Sequence, residues 1–301
     1  MRVVELRPVL TPARVWWLAA RPATLAASVS PVLVGTAVAV HDGSARFGAG
    51  IAALVVAIAM QLGVNYANDY SDFVRGADTP GRRGPVRAAA SGLVPPRQVR
   101  AAAIAAFGLA AGVGLALSLA TDWRLLGAGV LAVAAGWLYT GGPRPYGYLG
   151  LGEVFVFAFF GLLATAGTTY VESGRVGAAA WLGGVATGAL ACAILVLNNL
   201  RDVETDAAAG KRTLAVRLGA SRTRLLLAAL LAAAFAAPVV AFGLGAAGRL
   251  VALPVLAVPL AWQVYRLSGS PDPKVLVAGL KRCAQLEVWF ALLWTAGLLA
   301  S

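Results

Sequence analysis

Nine long stretches of this chain carry almost no charged side chains, and they limit the fold more than any other feature. A helix that crosses a bilayer needs about 20 mostly apolar residues. The stretches of that scale cover residues 22–41, 47–68, 101–121, 125–143, 154–171, 176–200 and 225–248, followed by a shorter one at 250–265 and a last one at 283–300 that only Glu287 interrupts. Lipid admits helices or closed barrels, and these stretches do not alternate in polarity as barrel strands do. The sequence therefore predicts an all-α integral membrane protein with nine transmembrane helices.

Charged residues are scarce over the whole chain. They make up 13% of the 301 residues, whereas 59% are hydrophobic, and a soluble domain carries roughly 25% charged residues. The lipid bilayer is therefore the expected surrounding. The net charge of +12 would suggest nucleic acid in a soluble protein, but in a membrane protein Lys and Arg mark cytoplasmic loops. We therefore expect no nucleic-acid partner.

Few residues are available for histidine or cysteine chemistry. His41 is the only histidine, and Cys192 and Cys283 are the only cysteines. A histidine-based catalytic triad or metal cluster is nearly excluded, and two isolated thiols in apolar stretches fit neither a zinc site nor a disulfide framework.

The basic residues predict the orientation of the chain. With nine helices and a cytoplasmic N-terminus, 21 of the 25 Lys and Arg residues fall on the cytoplasmic side. Such an imbalance follows the positive-inside rule, and it places the C-terminus outside. The two longest cytoplasmic loops are then 69–100 and 201–224. We expect them to cover a shared cavity in one domain that spans residues 1–301.

The chain has 13 acidic residues, and five of its aspartates fall in two short clusters, each at the end of an apolar stretch. The first cluster is VNYANDYSDFVRGAD (64–78), with Asp69, Asp72 and Asp78 beside Asn65 and Asn68. The second is NNLRDVETDAAAGKRT (198–213), with Asp202, Asp206, Asn198, Asn199, Lys211 and Arg212. Single acids at helix ends often serve only as caps, but two clusters at matching positions near a membrane point to function.

The spacing of these acids indicates a metal site. Asp69 and Asp72 are three residues apart and Asp202 and Asp206 are four apart, so each pair would share one helix face. Adjacent carboxylates repel each other unless a cation lies between them. Mg²⁺ takes oxygen ligands, usually one or two carboxylates together with substrate phosphates. We therefore assign these four aspartates and the Asn68 amide to a metal that binds a diphosphate.

A diphosphate also needs cationic and hydrogen-bonding partners. The candidates lie in the two clusters or beside the glycines of the loops that follow them. They are Asn65, Asn68, Arg82, Arg87, Lys211 and Arg212. Other basic residues of the same loops, such as Arg97 and Arg222, need no explanation beyond the positive-inside bias.

Two further stretches carry unusual polar residues. Arg21 begins the first apolar stretch, and Arg144 lies in a Pro-Gly turn that precedes Glu153. A lone Glu in a membrane helix is either functional or paired, and the sequence leaves both readings open. The four phenylalanines of the same helix, at positions 155, 157, 159 and 160, either contact lipid or form a wall for an apolar chain or a cation.

The paired motifs NDxxDxxxxxD (68–78) and DxxxD (202–206), on nine predicted helices, resemble the UbiA superfamily of intramembrane aromatic prenyltransferases. Within it, four strings are similar to the MenA-type branch of menaquinone biosynthesis. They are RPATLAASVSPVLVG, QLGVNYANDYSDFVRGADTPGRRGPVR, YTGGPRPYGYLGLGEVFVFAFFG and NNLRDVETDAAAGKRTLAVRLG. They run from the first predicted helix to the start of the seventh. Arg212 departs from the pattern, since an uncharged polar residue is often seen there.

The resemblance implies a UbiA-type helical bundle around a central cavity in a bacterial plasma membrane. It implies transfer of a polyprenyl group from an all-trans polyprenyl diphosphate to 1,4-dihydroxy-2-naphthoate, with loss of CO₂. Mg²⁺, for which Mn²⁺ can substitute, would be held by Asp69, Asp72, Asp202 and Asp206. Lys211 and Arg82 would neutralise the leaving diphosphate, and no covalent nucleophile is needed.

The acceptor site is expected from position alone. Arg21 or Arg144 would pair with the acceptor carboxylate, with Asn198 and Asn199 nearby. Asp78 would orient the acceptor hydroxyl, take its proton, or hold the loop.

Three other functions remain open on the sequence. A different aromatic acceptor, such as 4-hydroxybenzoate or homogentisate, would use the same chemistry. A polytopic transporter would also carry intramembrane acids, but transport sites tend to lie near the midplane at broken helices, whereas these clusters share one face with basic loops. A membrane scaffold that only binds a partner gives no reason to keep costly acids side by side.

Overall fold

The computed structural model describes residues 11–77 and 87–301, and all the regular elements in these two ranges are helical. The α-helices are α1 Pro12–Ala19, α2 Ala26–His41, α3 Phe47–Val74, α4 Pro96–Ala120, α5 Leu125–Leu138, α6 Gly152–Val156, α7 Ala164–Ser173, α8 Ala178–Arg201, α9 Val203–Ala208, α10 Leu214–Gly243, α11 Val258–Leu267 and α12 Pro273–Leu299. Short 3₁₀ segments cover Pro22–Thr24, Tyr146–Leu149 and Arg249–Ala257. A π-helical segment, Phe157–Leu163, joins α6 to α7, so that Gly152–Ser173 forms one continuous span.

The helices confirm a multi-pass membrane protein. By length and hydropathy, six helices in the described residues can cross a membrane, or seven if Pro12–Thr24 and α2, which meet at 53°, count as one span. All nine predicted stretches fall on helical segments, but α5 has only 14 residues and α12 carries several charged side chains. The number of nine spans and the cytoplasmic N-terminus therefore stay predictions.

The central helix of the bundle is α8, and most of its residues are buried. The largest buried apolar cluster joins α8 to α2, α10 and α12. On another side of α8, the π-helical segment packs closely against it. The backbones are so near that a Cβ built on Gly161 would lie 2.6 Å from the carbonyl oxygen of Gly184. Small residues permit such close backbone packing in membranes. This contact holds the span Gly152–Ser173 against the centre of the bundle.

Both acidic clusters lie where long helices end. Asp69 and Asp72 belong to the last two turns of α3. Asp202 is the residue between α8 and α9, and its φ of −98° and ψ of 7° break the helix there. Asp206 lies on α9, so the second pair does not sit on one uninterrupted helix.

Candidate active site

A cavity of about 710 Å³ opens between α3, α4, α5, α8 and the span Gly152–Ser173. Its polar end contains Asp72, Asp202, Asp206, Arg87 and Lys211, and most of its remaining wall is apolar. Along α3 the lining residues run from position 53 to position 72. At about 1.5 Å per residue this covers roughly 28 Å, which is close to the thickness of the hydrocarbon core. The cavity can thus hold a charged group at one end and a long apolar chain in the membrane.

Asp72 is the most heavily bonded carboxylate at the polar end. Its Oδ2 accepts a hydrogen bond from Arg87 Nη2 at 2.9 Å. Its Oδ1 accepts from the Tyr148 hydroxyl at 2.6 Å and from Lys211 Nζ at 3.0 Å. Lys211 Nζ also lies 3.9 Å from Asp206 Oδ1, so this lysine joins the two acidic clusters.

Asp69 has a different environment, although it precedes Asp72 by less than one turn. Its Oδ2 accepts the Ala88 N–H at 2.8 Å and its Oδ1 accepts the Ala89 N–H at 3.2 Å. The side chain is buried and does not line the cavity. In this structure Asp69 therefore fastens the segment that begins at residue 87 to the end of α3.

Asp202 is paired with its sequence neighbour. Arg201 donates from Nε to Asp202 Oδ1 at 2.8 Å and from Nη2 to Asp202 Oδ2 at 2.5 Å, and Nη2 also reaches Asn198 Oδ1 at 2.9 Å. Arg201, the first residue of the predicted cytoplasmic loop 201–224, was not among the predicted site residues. Its buried side chain holds the Asp202 carboxylate and the Asn198 amide in one arrangement at the cavity wall.

The donor set fits a divalent cation that binds together with a phosphate group. Among residues 11–77 and 87–301, no three Asp, Glu, His or Cys side chains are gathered closely enough to form a metal site by themselves. Asp72, Asp202 and Asp206 nevertheless line one cavity, and Mg²⁺ commonly keeps only one or two carboxylates, with waters and substrate phosphates as its other ligands.

Apart from Asn65, which also lines the cavity, the predicted diphosphate ligands divide into three groups. Arg87 and Lys211 reach the polar end, and Asn68 lines the cavity while its Oδ1 accepts from Thr140 at 2.7 Å. Arg212 is exposed and outside the cavity wall, and its backbone N–H donates to Tyr148 O at 2.9 Å. Arg82 lies outside the described residues, as does Asp78.

The predicted acceptor ligands are also divided by the structure. Arg21, Asn198 and Asn199 line the cavity, whereas Arg144 is exposed and lies off its wall. Asn199 Nδ2 donates to Glu153 Oε1 at 3.1 Å. Glu153 is therefore paired, and it buttresses an amide of the cavity.

Two tyrosines of the turn after α5, Tyr146 and Tyr148, line the cavity and were not predicted from the sequence. Tyr148 places its ring 4.7 Å from Lys211 Nζ and 5.7 Å from the Arg75 guanidinium carbon. Burial raises the pKa of Tyr146 above its usual range, and its hydroxyl donates to Ala135 O at 2.9 Å. The only sequence signal was the pair of aromatic residues around Gly147, and nothing local linked it to the acidic clusters.

Comparison with known proteins agrees with this geometry. The profile of the UbiA prenyltransferase family matches residues 28–299. The chain is 50% identical over 222 residues to the 1,4-dihydroxy-2-naphthoate octaprenyltransferase of Mycobacterium tuberculosis, which covers 73% of this chain and 75% of that protein.

Two solved structures share the fold. A UbiA homolog from Aeropyrum pernix superimposes with a TM-score of 0.68 at 15% identity, over 91% of this chain and 97% of its own. A UbiA homolog from Archaeoglobus fulgidus, solved with GPP and Mg²⁺, gives a TM-score of 0.63 at 16% identity, over 94% of this chain and 99% of its own.

Proposed function

Since the chain belongs to the UbiA prenyltransferase family, we propose that it transfers a polyprenyl group from an all-trans polyprenyl diphosphate to 1,4-dihydroxy-2-naphthoate. The new C–C bond replaces the bond to the carboxylate, so diphosphate and CO₂ leave and demethylmenaquinol forms for menaquinone synthesis. The observation that carries this proposal is the single cavity that joins both acidic clusters to a long apolar wall. Relatives named for this activity at up to 50% identity support the choice of acceptor.

The polar end of the cavity would bind the diphosphate. Lys211 and Arg87 supply cationic donors, and Asp72, Asp202 and Asp206 supply oxygens for Mg²⁺ or Mn²⁺. The bound metal would stabilise the negative charge on the leaving diphosphate. Asp72 holds both Lys211 and Arg87 by ion pairs, and this position would let them pair with phosphate oxygens as the allylic C–O bond breaks.

The apolar wall would hold the prenyl chain and keep water from the allylic cation. Phe155, Phe159 and Phe160 line this part of the cavity, and the Phe155 and Phe159 rings stack with centroids 6.1 Å apart. The faces of aromatic rings attract cations. These rings therefore suit both the chain and the charge that develops at its reactive end.

We further propose that the polar end faces the cytoplasm of a bacterial plasma membrane and that the chain crosses this membrane nine times. The distribution of Lys and Arg supports this orientation, and the position of both acidic clusters at the same end of the bundle agrees with it.

The test of the proposed function uses the purified protein in nanodiscs. With Mg²⁺, an all-trans polyprenyl diphosphate and carboxyl-labelled 1,4-dihydroxy-2-naphthoate, we expect prenylated quinone and labelled CO₂ in equal amounts, and neither after EDTA treatment. Prenylation without labelled CO₂ would contradict the proposed site of attack. Product formation with 4-hydroxybenzoate or homogentisate but not with the naphthoate would show that the acceptor is a different aromatic acid. The absence of product with every acceptor would favour a transporter.

We expect the preference of the enzyme for long prenyl chains to depend on one glycine of α5 in the apolar wall. Gly129 lines the cavity, and a Cβ built there meets no atom within 4 Å. In Gly129→Trp the indole should occupy the space of the chain. We expect the specificity constant for long prenyl diphosphates to fall by about tenfold or more, as one obstructed apolar pocket can produce, while that for geranyl diphosphate changes little.

Gly127→Trp is the matched control, because Gly127 lies on the same helix and is exposed like Gly129, but is not part of the cavity wall. It should leave the chain-length profile unchanged. Equal losses for short and long chains in Gly129→Trp would show that the prenyl group does not run along α5.

A further inference from the structure

Arg21 has an unusual backbone conformation. Its φ of 53° and ψ of 71° lie in the left-handed region, and among the described non-glycine residues it alone has a positive φ. Such a conformation persists only where the surroundings impose it, and it is concentrated at ligand-binding sites. Arg21 occupies the junction between α1 and the 3₁₀ turn Pro22–Thr24, and its side chain lines the cavity.

Two amides of α3 and one hydroxyl impose this conformation. Asn65 Nδ2 donates to Ala20 O at 2.8 Å and to Thr24 Oγ1 at 3.0 Å. Gln61 Nε2 donates to the same hydroxyl oxygen at 3.1 Å and to Asn65 Oδ1 at 3.2 Å. The Thr24 hydroxyl in turn donates to Arg21 O at 2.9 Å. The peptide groups on both sides of Arg21 are thus tied to α3.

The amide of Asn65 has little capacity left for a ligand. Its two N–H groups match the two acceptors just described, and its oxygen accepts from Gln61. The side chains of Asn65 and Gln61 are both buried. This arrangement suits a structural support better than a direct diphosphate ligand.

The supported arginine lies deeper in the bundle than the diphosphate end. Asn65 precedes Asp72 by two turns of α3, which is roughly 10 Å along the helix axis. The backbone next to Arg21 is bonded to α3 at Asn65. Arg87 and Lys211, by contrast, form ion pairs with Asp72. A guanidinium that lines the cavity and whose backbone is held at this second level suits the planar carboxylate of the acceptor.

We propose that Gln61, Asn65 and Thr24 are positioning residues that hold Arg21 in its left-handed conformation, so that its guanidinium binds the acceptor carboxylate. Asn65 then acts through Arg21 and not as a diphosphate ligand, which reassigns the role expected from the sequence. This inference rests on the proposed function for the identity of the anion. The support of the backbone itself does not depend on that identity.

Steady-state kinetics test the binding part. Asn65→Leu removes the amide at similar size, and Thr24→Val removes the hydroxyl if the first variant does not fold. We expect the KM for the acceptor to rise about tenfold to a hundredfold, as misplacement of a binding group by about 1 Å can produce, with the KM for the prenyl diphosphate little changed. In an Arg21→Gln background, Asn65→Leu should add almost nothing, because both changes remove one interaction.

The opposite pattern would overturn the proposal. A higher KM for the prenyl diphosphate, or effects of Arg21→Gln and Asn65→Leu that add in full, would mean that Asn65 binds the diphosphate itself.

Thermal unfolding tests whether the backbone of Arg21 is held in place, and it needs no measurement of activity. A failure of this inference can therefore be distinguished from a failure of the proposed function. Glycine adopts the left-handed conformation without a steric penalty, so Arg21→Gly should melt at a higher temperature than Arg21→Ala. The difference should vanish when Asn65→Leu is added, since the backbone can then relax. An equal melting temperature for the two variants with Asn65 present would show that no strain is imposed at Arg21.

Discussion

The variant Asp72→Asn is expected to lose about a thousandfold in turnover, the upper range for removal of one preorganised electrostatic group. Asp72 is the carboxylate of the first cluster that the described part of the chain places in the cavity wall. Both of its oxygens are directed at cationic or hydroxyl partners of the diphosphate end. An amide of the same size keeps the packing, but it removes the negative charge that a divalent cation requires.

The measurement is the rate of prenyl transfer by the purified variant at saturating Mg²⁺ and substrates. Asp272→Asn is the matched control, because it makes the same substitution at an exposed N-cap of α12, where Asn caps as well as Asp. We expect the control to equal the wild type. An Asp72→Asn enzyme that retained turnover within severalfold of the wild type would remove Asp72 from the catalytic site.

The second large effect is expected for Lys211→Met, and it has two opposite parts. Lys211 Nζ lies 3.0 Å from Asp72 Oδ1 and 3.9 Å from Asp206 Oδ1. Without this cation the diphosphate loses a charge-assisted partner, so kcat/KM for the prenyl diphosphate should fall by about a hundredfold. In the substrate-free protein, however, the lysine competes with a metal for the same carboxylates, so its removal should strengthen Mn²⁺ binding.

Both parts are measurable on one preparation. Steady-state rates give the first part, and titration of the substrate-free protein with Mn²⁺ by electron paramagnetic resonance gives the second. Lys281→Met is the control, since Lys281 is an exposed lysine of α12, and it should change neither quantity. Weaker Mn²⁺ binding in Lys211→Met would show that the lysine supports the metal site and does not compete for it.

Much of the architecture was predictable from local patterns. Each long apolar stretch became helical because a lipid-facing backbone must satisfy its hydrogen bonds within the segment. The aspartates of the two clusters lie at helix ends, as expected because charge is costly deeper in the membrane. No local pattern in the sequence indicated the helix break at Asp202 or the π-helical segment at Phe157–Leu163. The π-helical segment lies in close backbone contact with α8, and such contacts depend on how helices pack.

Composition and short-range spacing alone determined a multi-pass helical membrane protein with two acidic clusters at the ends of long helices. The UbiA family was indicated by the resemblance of its motifs and is shown by the match of the family profile. Only the tertiary structure decided which of these side chains share the site. It placed Asp72 in the cavity wall and Asp69 at the backbone N–H of Ala88, and it left Arg144 outside the cavity wall. The contacts of Asp72 with Tyr148 and Lys211 join residues 76 and 139 positions apart. Such contacts depend on how whole helices pack, which no local pattern in the sequence indicates.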